Sequence, residues 1–169
     1  MVKIGLKIPN DPDDIHSYTL EVLAELSKHV ALTSKMQRKI KLIVMELVTN
    51  SIKHSTDPDA LIRLTIDHPR LTIEKIDIGL QIRFTGKEQL PFQVADKNIN
   101  VSFAENKSHD IEIIDQYRFK FVDNFKEDMN VENLPEHFGL YIITMASDGF
   151  EYQHNPELLE NSFIVNLKL

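Results

Sequence analysis

Three polar residues, Glu46, Asn50 and His54, stand four residues apart in an otherwise apolar pattern, and together they could bind a cation and phosphate groups. An α-helix has about 3.6 residues per turn, so side chains four apart are neighbours on its surface. A carboxylate, an amide and an imidazole would then line one wall of a groove. The same side chains could instead hydrogen-bond only to neighbouring backbone groups, as buried polar groups commonly do.

The helix that carries these residues is predicted over residues 34–55. Its apolar face comprises Ile40, Ile43, Val44, Leu47 and Ser51. The pair Ser34 and Gln37 has the spacing of a capping box, in which each side chain satisfies a free backbone N–H at the start of a helix. Turn-forming residues at 56–59 end the helix. Glu46, Asn50 and His54, which we call the polar stripe, are therefore expected on the flank of the helix, between the core and the solvent.

The other elements follow from alternation, capping and turn signals. Alternation predicts a strand at residues 2–8 and a hairpin at 61–67 and 71–76. Asp11 as N-cap and Pro12 at the first helical position predict a helix to about residue 30. A last helix is expected over 135–147, followed by a closing hairpin at 150–154 and 162–169.

The stretch 85–138 is the least patterned part of the chain, with two expected strands near 111–114 and 117–122. A connection of that length in a compact domain needs some structure of its own. The element order predicts an α+β fold, a two-layer sandwich whose helices pack on one face of a mixed, mostly antiparallel sheet.

Composition limits the classes of function. A chain of 169 residues with 42% hydrophobic content can bury one sizeable core, so we expect a single domain over 1–169. The net charge of −7 disfavours a general nucleic-acid binder, and the absence of cysteine excludes disulfides and thiolate metal sites. No apolar run approaches the length of a signal peptide or membrane span, which predicts a cytoplasmic protein with no membrane association.

Three separated segments resemble the nucleotide-binding boxes of the GHKL ATPases, the superfamily of gyrase and the histidine kinases. Glu46-x-x-x-Asn50-x-x-x-His54 resembles their N-box. Asp77-Ile78-Gly79 resembles the start of their Asp-x-Gly-x-Gly box, and the sequence His137-Phe138-Gly139-Leu140 is similar to their Gly-x-Gly-Leu box. The residue sequence around the N-box and the size of the chain resemble those of the bacterial anti-sigma-factor serine/threonine kinases. The resemblance covers nearly the whole chain and implies the histidine kinase-like ATPase fold.

The resemblance implies a role for each residue of the N-box helix. Asn50 would bind Mg²⁺ through its amide oxygen, because this hard cation prefers oxygen ligands. Glu46 would be the general base that takes a proton from a hydroxyl group or a water. Lys53 and His54 would lie near the phosphates of ATP, although basic residues at a helix end can also have a purely structural role.

The two glycine boxes would supply the rest of the site. Asp77 would accept a hydrogen bond from the adenine amino group, since an ionised carboxylate only accepts. Gly79 would let the backbone approach the adenine ring where a Cβ would collide. Gly139 would open the last helix toward the phosphates, whose charge its free backbone amides favour. Leu140, Ile142 and Ile143 are expected in the core.

The function implied by the resemblance is that of an ATP-binding regulatory protein that phosphorylates a serine or threonine of a protein partner. A sigma factor or an anti-sigma antagonist is the implied partner, together with a homodimer and a lid at about 85–138. The chain departs from the family at Gln81 and His137, which replace motif glycines. These substitutions favour an alternative, a protein-interaction module of the same fold without phosphotransfer activity.

Two further alternatives concern the position of the Asp box and a metal site. The sequence Val122-Asp123-Asn124-Phe125 could be the Asp box instead of Asp77, but it would require a large insertion inside the sheet. A metal site built from the seven histidines is disfavoured, because no His-x-x-x-His or His-Glu-x-x-His spacing occurs.

Overall fold

The computed structural model describes residues 1–86, 88–93, 95, 97–104, 107–122 and 139–169. His137, residues 123–125 of the alternative Asp box and residues 135–138 of the last predicted helix lie outside these ranges. Within them, three helices and eight strands follow in the order β1 (Val2–Lys7), α1 (Ile15–Ser27), α2 (Ser34–His54), β2 (Leu61–Asp67), β3 (Arg70–Ile78), β4 (Lys97–Ala104), β5 (Lys107–Asp115), β6 (Arg118–Val122), α3 (Gly139–Ala146), β7 (Gly149–Asn155) and β8 (Glu160–Lys168).

The strands form one sheet in the order β1-β2-β3-β8-β7-β6-β5-β4. Each described pairing is antiparallel, so the sheet is more uniform than the mixed arrangement expected from the sequence. The strand β8 lies between β3 and β7 at the centre of the sheet. The three helices pack against this sheet, which confirms the α+β fold class and the two-layer sandwich.

The helix starts follow the capping signals with one correction. Asp11 caps a 3-10 turn at Pro12–Asp14, where its carboxylate accepts a hydrogen bond from the Asp13 N–H at 2.9 Å. The α2 helix is capped by Thr33, whose hydroxyl accepts from the Met36 N–H at 3.2 Å, and the predicted cap at Ser34 is wrong. Thr33 has the extended backbone that an N-cap needs, which makes Ser34 the first helical residue.

The core lies between the helices and one face of the sheet. Alternate residues of β3, such as Leu71 and Ile73, are fully buried and belong to one hydrophobic cluster with residues of α1 and α2. The α2 residues in this cluster are Ile40, Ile43, Val44, Leu47 and Val48. In α3, Ile143 is fully buried and Leu140 packs against the same cluster, as the sequence predicted, whereas Ile142, also expected in the core, is only partly buried and does not belong to that cluster.

The region expected to be an elaborated lid contributes three strands to the sheet. The two predicted strands correspond to β5 and β6, whereas β4 was not predicted from the sequence. β4 continues the sheet beyond β5 and forms its outer edge. Much of the described part of 85–138 is therefore built into the sheet rather than lying over it. No helix within the described ranges has both the length and the apolar character needed to cross a membrane.

Candidate functional site

The last helix begins against the polar stripe of α2. Gly139 is the first residue of α3, and a Cβ added there would lie 2.5 Å from Glu46 Oε2 and 3.3 Å from Asn50 Nδ2. Real Cβ contacts are essentially never that close, so a side chain at position 139 would require the carboxylate at the end of the Glu46 side chain to move. Glu46, Asn50 and Gly139, which we call the helix group, therefore lie together as the sequence motifs predicted.

The carboxyl group of Glu46 is in an unfavourable position for its charge. Partial burial raises the pKa of Glu46 above the ordinary value, and the positive charge of Lys53 opposes this effect in part. Desolvation disfavours the ionised form of a carboxyl group, which explains the direction. A carboxyl group that holds its proton more tightly is also a stronger proton acceptor once it is ionised.

The basic residues at the end of α2 differ from the helix group in their exposure. Lys53 and His54 lie in the last turn of α2 and are exposed, whereas Glu46 and Asn50 are half-buried. Positive charge at a helix C-terminus interacts favourably with the helix dipole, which gives these two residues a structural role in any case. The polar stripe thus runs from a half-buried position at Glu46 to an exposed position at His54.

Asp77 lies near the end of β3 and is buried, with 5% of its surface exposed. Its Oδ2 pairs with Lys75 Nζ, and its Oδ1 accepts a hydrogen bond from Asn161 Nδ2 at 3.0 Å. Lys75 is equally buried and stands two residues earlier on the same face of the strand. We call Lys75, Asp77 and Asn161 the strand group.

Asn161 joins the strand group to three residues outside it, one after β3 and two in β7. Its amide nitrogen also donates to the Leu80 carbonyl at 3.2 Å. Its amide oxygen accepts from Tyr152 OH at 2.6 Å and lies 2.9 Å from His154 Nδ1. Burial raises the pKa of Tyr152 well above its usual range, so this hydroxyl stays protonated and available as a donor. Asp77 is thus held in one orientation by a network that is itself fixed in the sheet.

The segment after Asp77 is ordered by its own contacts. The Gly79 N–H donates to the Leu159 carbonyl at 2.8 Å, and the Ile78 N–H donates to Asp57 Oδ2 at 2.7 Å. A Cβ at Gly79 would meet only Asn161 Nδ2, at an ordinary contact distance of 3.8 Å. The space around position 79 therefore admits a Cβ, whereas a Cβ at position 139 would require the Glu46 carboxylate to move.

Gln81, which replaces a motif glycine, has a structural partner. Its amide nitrogen donates to the Leu90 carbonyl at 2.8 Å, and the side chain is partly buried. This contact ties the chain after the Asp77 turn to the segment around residue 90. Gln81 therefore has less backbone freedom than glycine would have at this position, and its hydrogen bond also holds the loop in place.

The sequence did not single out Lys75 or Asn161. The signal for Lys75 was present, because it follows Leu71 and Ile73 at the inward positions of a strand. Asn161 had no such signal, since its role depends on β8 pairing with β3 in a register that joins Asp77 to Asn161.

Metal ligation by clustered side chains is not seen in the described part of the chain, where no three His, Asp or Glu residues lie together. The oxygen donors of the helix group fit Mg²⁺ only when phosphate oxygens and waters complete the shell, which is usual for this ion. Two clefts among the described residues, of about 300 and 270 Å³, lie elsewhere: one beside residues 88–93 and one between α3 and β5–β7.

No family model matches the chain. A similar protein is cobyrinate a,c-diamide synthase of Methanobrevibacter smithii, which is 30% identical over 139 residues. The matched part covers 82% of this chain but only 28% of that protein. The resemblance to the GHKL ATPases is not tested by these comparisons and stays a prediction.

Proposed function

We propose that this protein binds Mg-ATP between the helix group and the strand group and acts as a regulatory protein of the GHKL type. The observation that supports the proposal most directly is the convergence of Glu46 and Asn50 on Gly139. These residues come from two motifs far apart in the sequence, and a Cβ at position 139 would lie against the side chains of Glu46 and Asn50. Gly139 is the first residue of α3, and backbone amides at the start of a helix favour an anionic group.

The strand group is proposed as the end of the site that recognises adenine. Asp77 has two oxygens with about four lone-pair positions, and two hydrogen bonds occupy only part of that capacity. An exocyclic amine can therefore be a further donor to this carboxylate. The network around Asn161 holds Asp77 in a fixed orientation, which reduces the entropy lost when a ligand binds.

The proposed reaction is transfer of the γ-phosphoryl group of ATP to a serine or threonine hydroxyl of a protein partner. Glu46 accepts the hydroxyl proton, the hydroxyl oxygen bonds to the γ-phosphorus, and ADP leaves with the bridging oxygen. Asn50 is the residue of the helix group that would hold Mg²⁺, which supplies neutralisation of phosphate charge when bound. Lys53 and His54 provide positive charge near the phosphates.

The class of protein partner is proposed from the family resemblance alone. A sigma factor or an anti-sigma antagonist is the class of protein to test, and homodimer formation accompanies it in the resembling family. The proposal includes a cytoplasmic location, which the lack of a long apolar run in the sequence favours.

A second candidate function is supported by the contacts of Asp77 and Gln81. Lys75 and Asn161 already bind both oxygens of Asp77, and Gln81 fixes the following loop where a glycine would leave it free. A protein-interaction module that has lost phosphotransfer would keep such contacts for stability. The two candidates differ in whether ADP is formed.

The experiment that tests ATP binding is calorimetric titration of the purified protein with ATP, with and without Mg²⁺. Asp77→Asn is expected to weaken ATP by roughly 10- to 150-fold, the loss of one charged hydrogen bond of about 1.5–3 kcal/mol. Asn50→Ala is expected to remove most of the Mg²⁺ dependence, and Thr49→Ala on the same helix is the matched control. No binding at millimolar ATP would refute the proposal.

A second experiment separates the two candidates by following the conversion of labelled ATP to ADP. Glu46→Gln is expected to keep ATP affinity and abolish ADP formation. Binding of ATP without ADP formation in the wild type, with the sigma factor or antagonist present, would favour the interaction module. Unchanged ADP formation in Glu46→Gln would remove Glu46 from the role of base.

The similarity to cobyrinate a,c-diamide synthase suggests a second ligand for the titration. Cobyrinate should be tested in place of ATP, because the matched region contains most of this chain. Binding of cobyrinate but not ATP would favour a ligand site related to that enzyme over the GHKL assignment.

A further inference from the structure

Lys75 is a charged residue in a position that the fold would otherwise give to an apolar side chain. It follows Leu71 and Ile73 on the inward face of β3, and its neighbours in register are Ile62 and Phe163. Only 5% of its side chain is exposed. Its ammonium group pairs with Asp77 and lies 4.9 Å from the centre of the Phe163 ring.

Stability alone does not account for this pair. Taking two charges out of water costs several kcal/mol per ion, and apolar residues of similar volume are often equally stable or more stable in such positions. An ammonium group has three N–H donors. Within the described residues Lys75 donates one hydrogen bond, to Asp77, and the Phe163 ring lies near the group. The ammonium therefore retains donor capacity beside the carboxylate.

The pairing of acceptor and donor has a specific chemical complement. Asp77 accepts hydrogen bonds, and Lys75 donates them from the adjacent position on the same face of the sheet. A matching ligand edge carries a donor next to an acceptor. In adenine, the exocyclic 6-amino group is a donor and the neighbouring ring nitrogen N1 is an acceptor. In guanine and hypoxanthine this order is reversed, because O6 accepts and the N1–H donates.

We propose that Lys75 is a specificity-determining residue that donates directly to N1 of adenine while Asp77 accepts from the 6-amino group. This inference rests on the proposed ATP site and adds a second, cationic contact to it. Asn161 keeps the two residues in register by holding Asp77 Oδ1. The site then selects adenine by two contacts of opposite polarity, and Lys75 adds a charge-assisted hydrogen bond to the ring.

The test compares ATP with 1-deaza-ATP, in which a C–H group replaces N1. The wild-type protein is expected to bind 1-deaza-ATP about 10- to 100-fold more weakly than ATP, as loss of a hydrogen bond to a charged group predicts. It is also expected to reject inosine triphosphate. In Lys75→Met, ATP and 1-deaza-ATP should bind with equal affinity. Lys168→Met, at an exposed position of β8, is the matched control and should behave as the wild type.

The outcomes separate this inference from the proposed function. If the wild type binds ATP and 1-deaza-ATP equally well, Lys75 does not contact N1, and the ATP site itself stands. If neither nucleotide binds, the proposed function has failed. The wild-type comparison requires no variant, so it decides the question even if Lys75→Met does not fold. A persistent difference between the two nucleotides in folded Lys75→Met would also overturn the inference.

Discussion

Gly139 lies so close to Glu46 that a methyl group on its Cα would stand 2.5 Å from the Glu46 carboxylate. Residue 139 begins α3, and Glu46 lies in the middle of α2. The contact therefore brings the start of α3 against side chains of α2, and it joins a motif of the second helix to a motif of the last. The energy of this contact can be measured from the stability of variants at positions 46 and 139.

Gly139→Ala is expected to destabilise the fold by about 1–3 kcal/mol, because the new methyl group must displace the Glu46 side chain. In a Glu46→Ala background the same substitution should cost at least about 1 kcal/mol less, since the displaced carboxylate is gone. Urea denaturation of the four proteins measures this coupling. Gly5→Ala is the control, because a Cβ there meets nothing within 4 Å. A gain in stability, as helix propensity alone would predict, would contradict the contact.

The protonation of Glu46 gives stability a defined pH dependence. Burial raises the pKa of Glu46 above its ordinary value of 4.5, so the folded protein holds this proton more tightly than the unfolded chain. The stability from this group is complete below the ordinary pKa and is lost as the pH rises through the raised pKa.

Glu46→Gln should therefore be more stable than the wild type at neutral pH, and the difference should shrink as the pH falls toward 4.5. Denaturation curves at a series of pH values measure the difference. Glu21→Gln, at an exposed position of α1, should change stability by less than about 0.5 kcal/mol. A difference between wild type and Glu46→Gln that grows on acidification would have the wrong sign.

Asn161→Ala should destabilise the protein by about 3 kcal/mol, because it leaves several buried polar groups without a partner, each costing roughly 1–3 kcal/mol. Asn166→Ala on the same strand is the matched control. Asn166 accepts one partly buried hydrogen bond from Thr72, so its loss should cost about 1 kcal/mol. Equal effects of the two substitutions would show that Asn161 is not the centre of the network.

Lys75→Met should cost about 3–5 kcal/mol, since it leaves the Asp77 charge buried without a counterion. Adding Asp77→Asn should recover a large part of that loss, because the second substitution removes the remaining charge. Thermal or urea denaturation of the single and double variants provides the comparison. If the double variant is less stable than Lys75→Met, the ion pair does not dominate the energetics of this position.

The local signals in the sequence were sufficient for most of the fold. The alternation in β1 to β3, the Asp11 cap and the apolar face of α2 depend on neighbouring residues, so they predicted these elements correctly. β4 was missed although Ile99, Val101 and Phe103 alternate with polar residues, a short pattern whose strand pairs with β5. The N-cap predicted at Ser34 was wrong by one residue. Thr33 and Ser34 both carry a hydroxyl group that could cap the helix, and the structure has Thr33 as the cap.

Periodicity predicted contacts within the candidate site only where the residues share a helix. Glu46 and Asn50 are neighbours through helix geometry alone, and the position of Gly139 beside them was anticipated by the resemblance between motifs. The contacts of Asp77 with Lys75 and Asn161 depend on the pairing of β3 with β8. Strand register across a long separation is set by the whole fold, so composition and periodicity carry little information about it.

The position of β8 also has a consequence for folding. This strand follows all other described strands in chain order, yet it fills the gap between β3 and β7 at the centre of the sheet. Asn161 and Asp77 are separated by 84 residues in the sequence. Until β8 inserts, β3 and β7 are open edges that could pair with other chains, and the buried Lys75 charge lacks the neighbouring strand that covers it. Because Asn161 reaches Asp77 only through the pairing of β3 with β8, the buried network around Asp77 cannot be complete before β8 has joined the sheet.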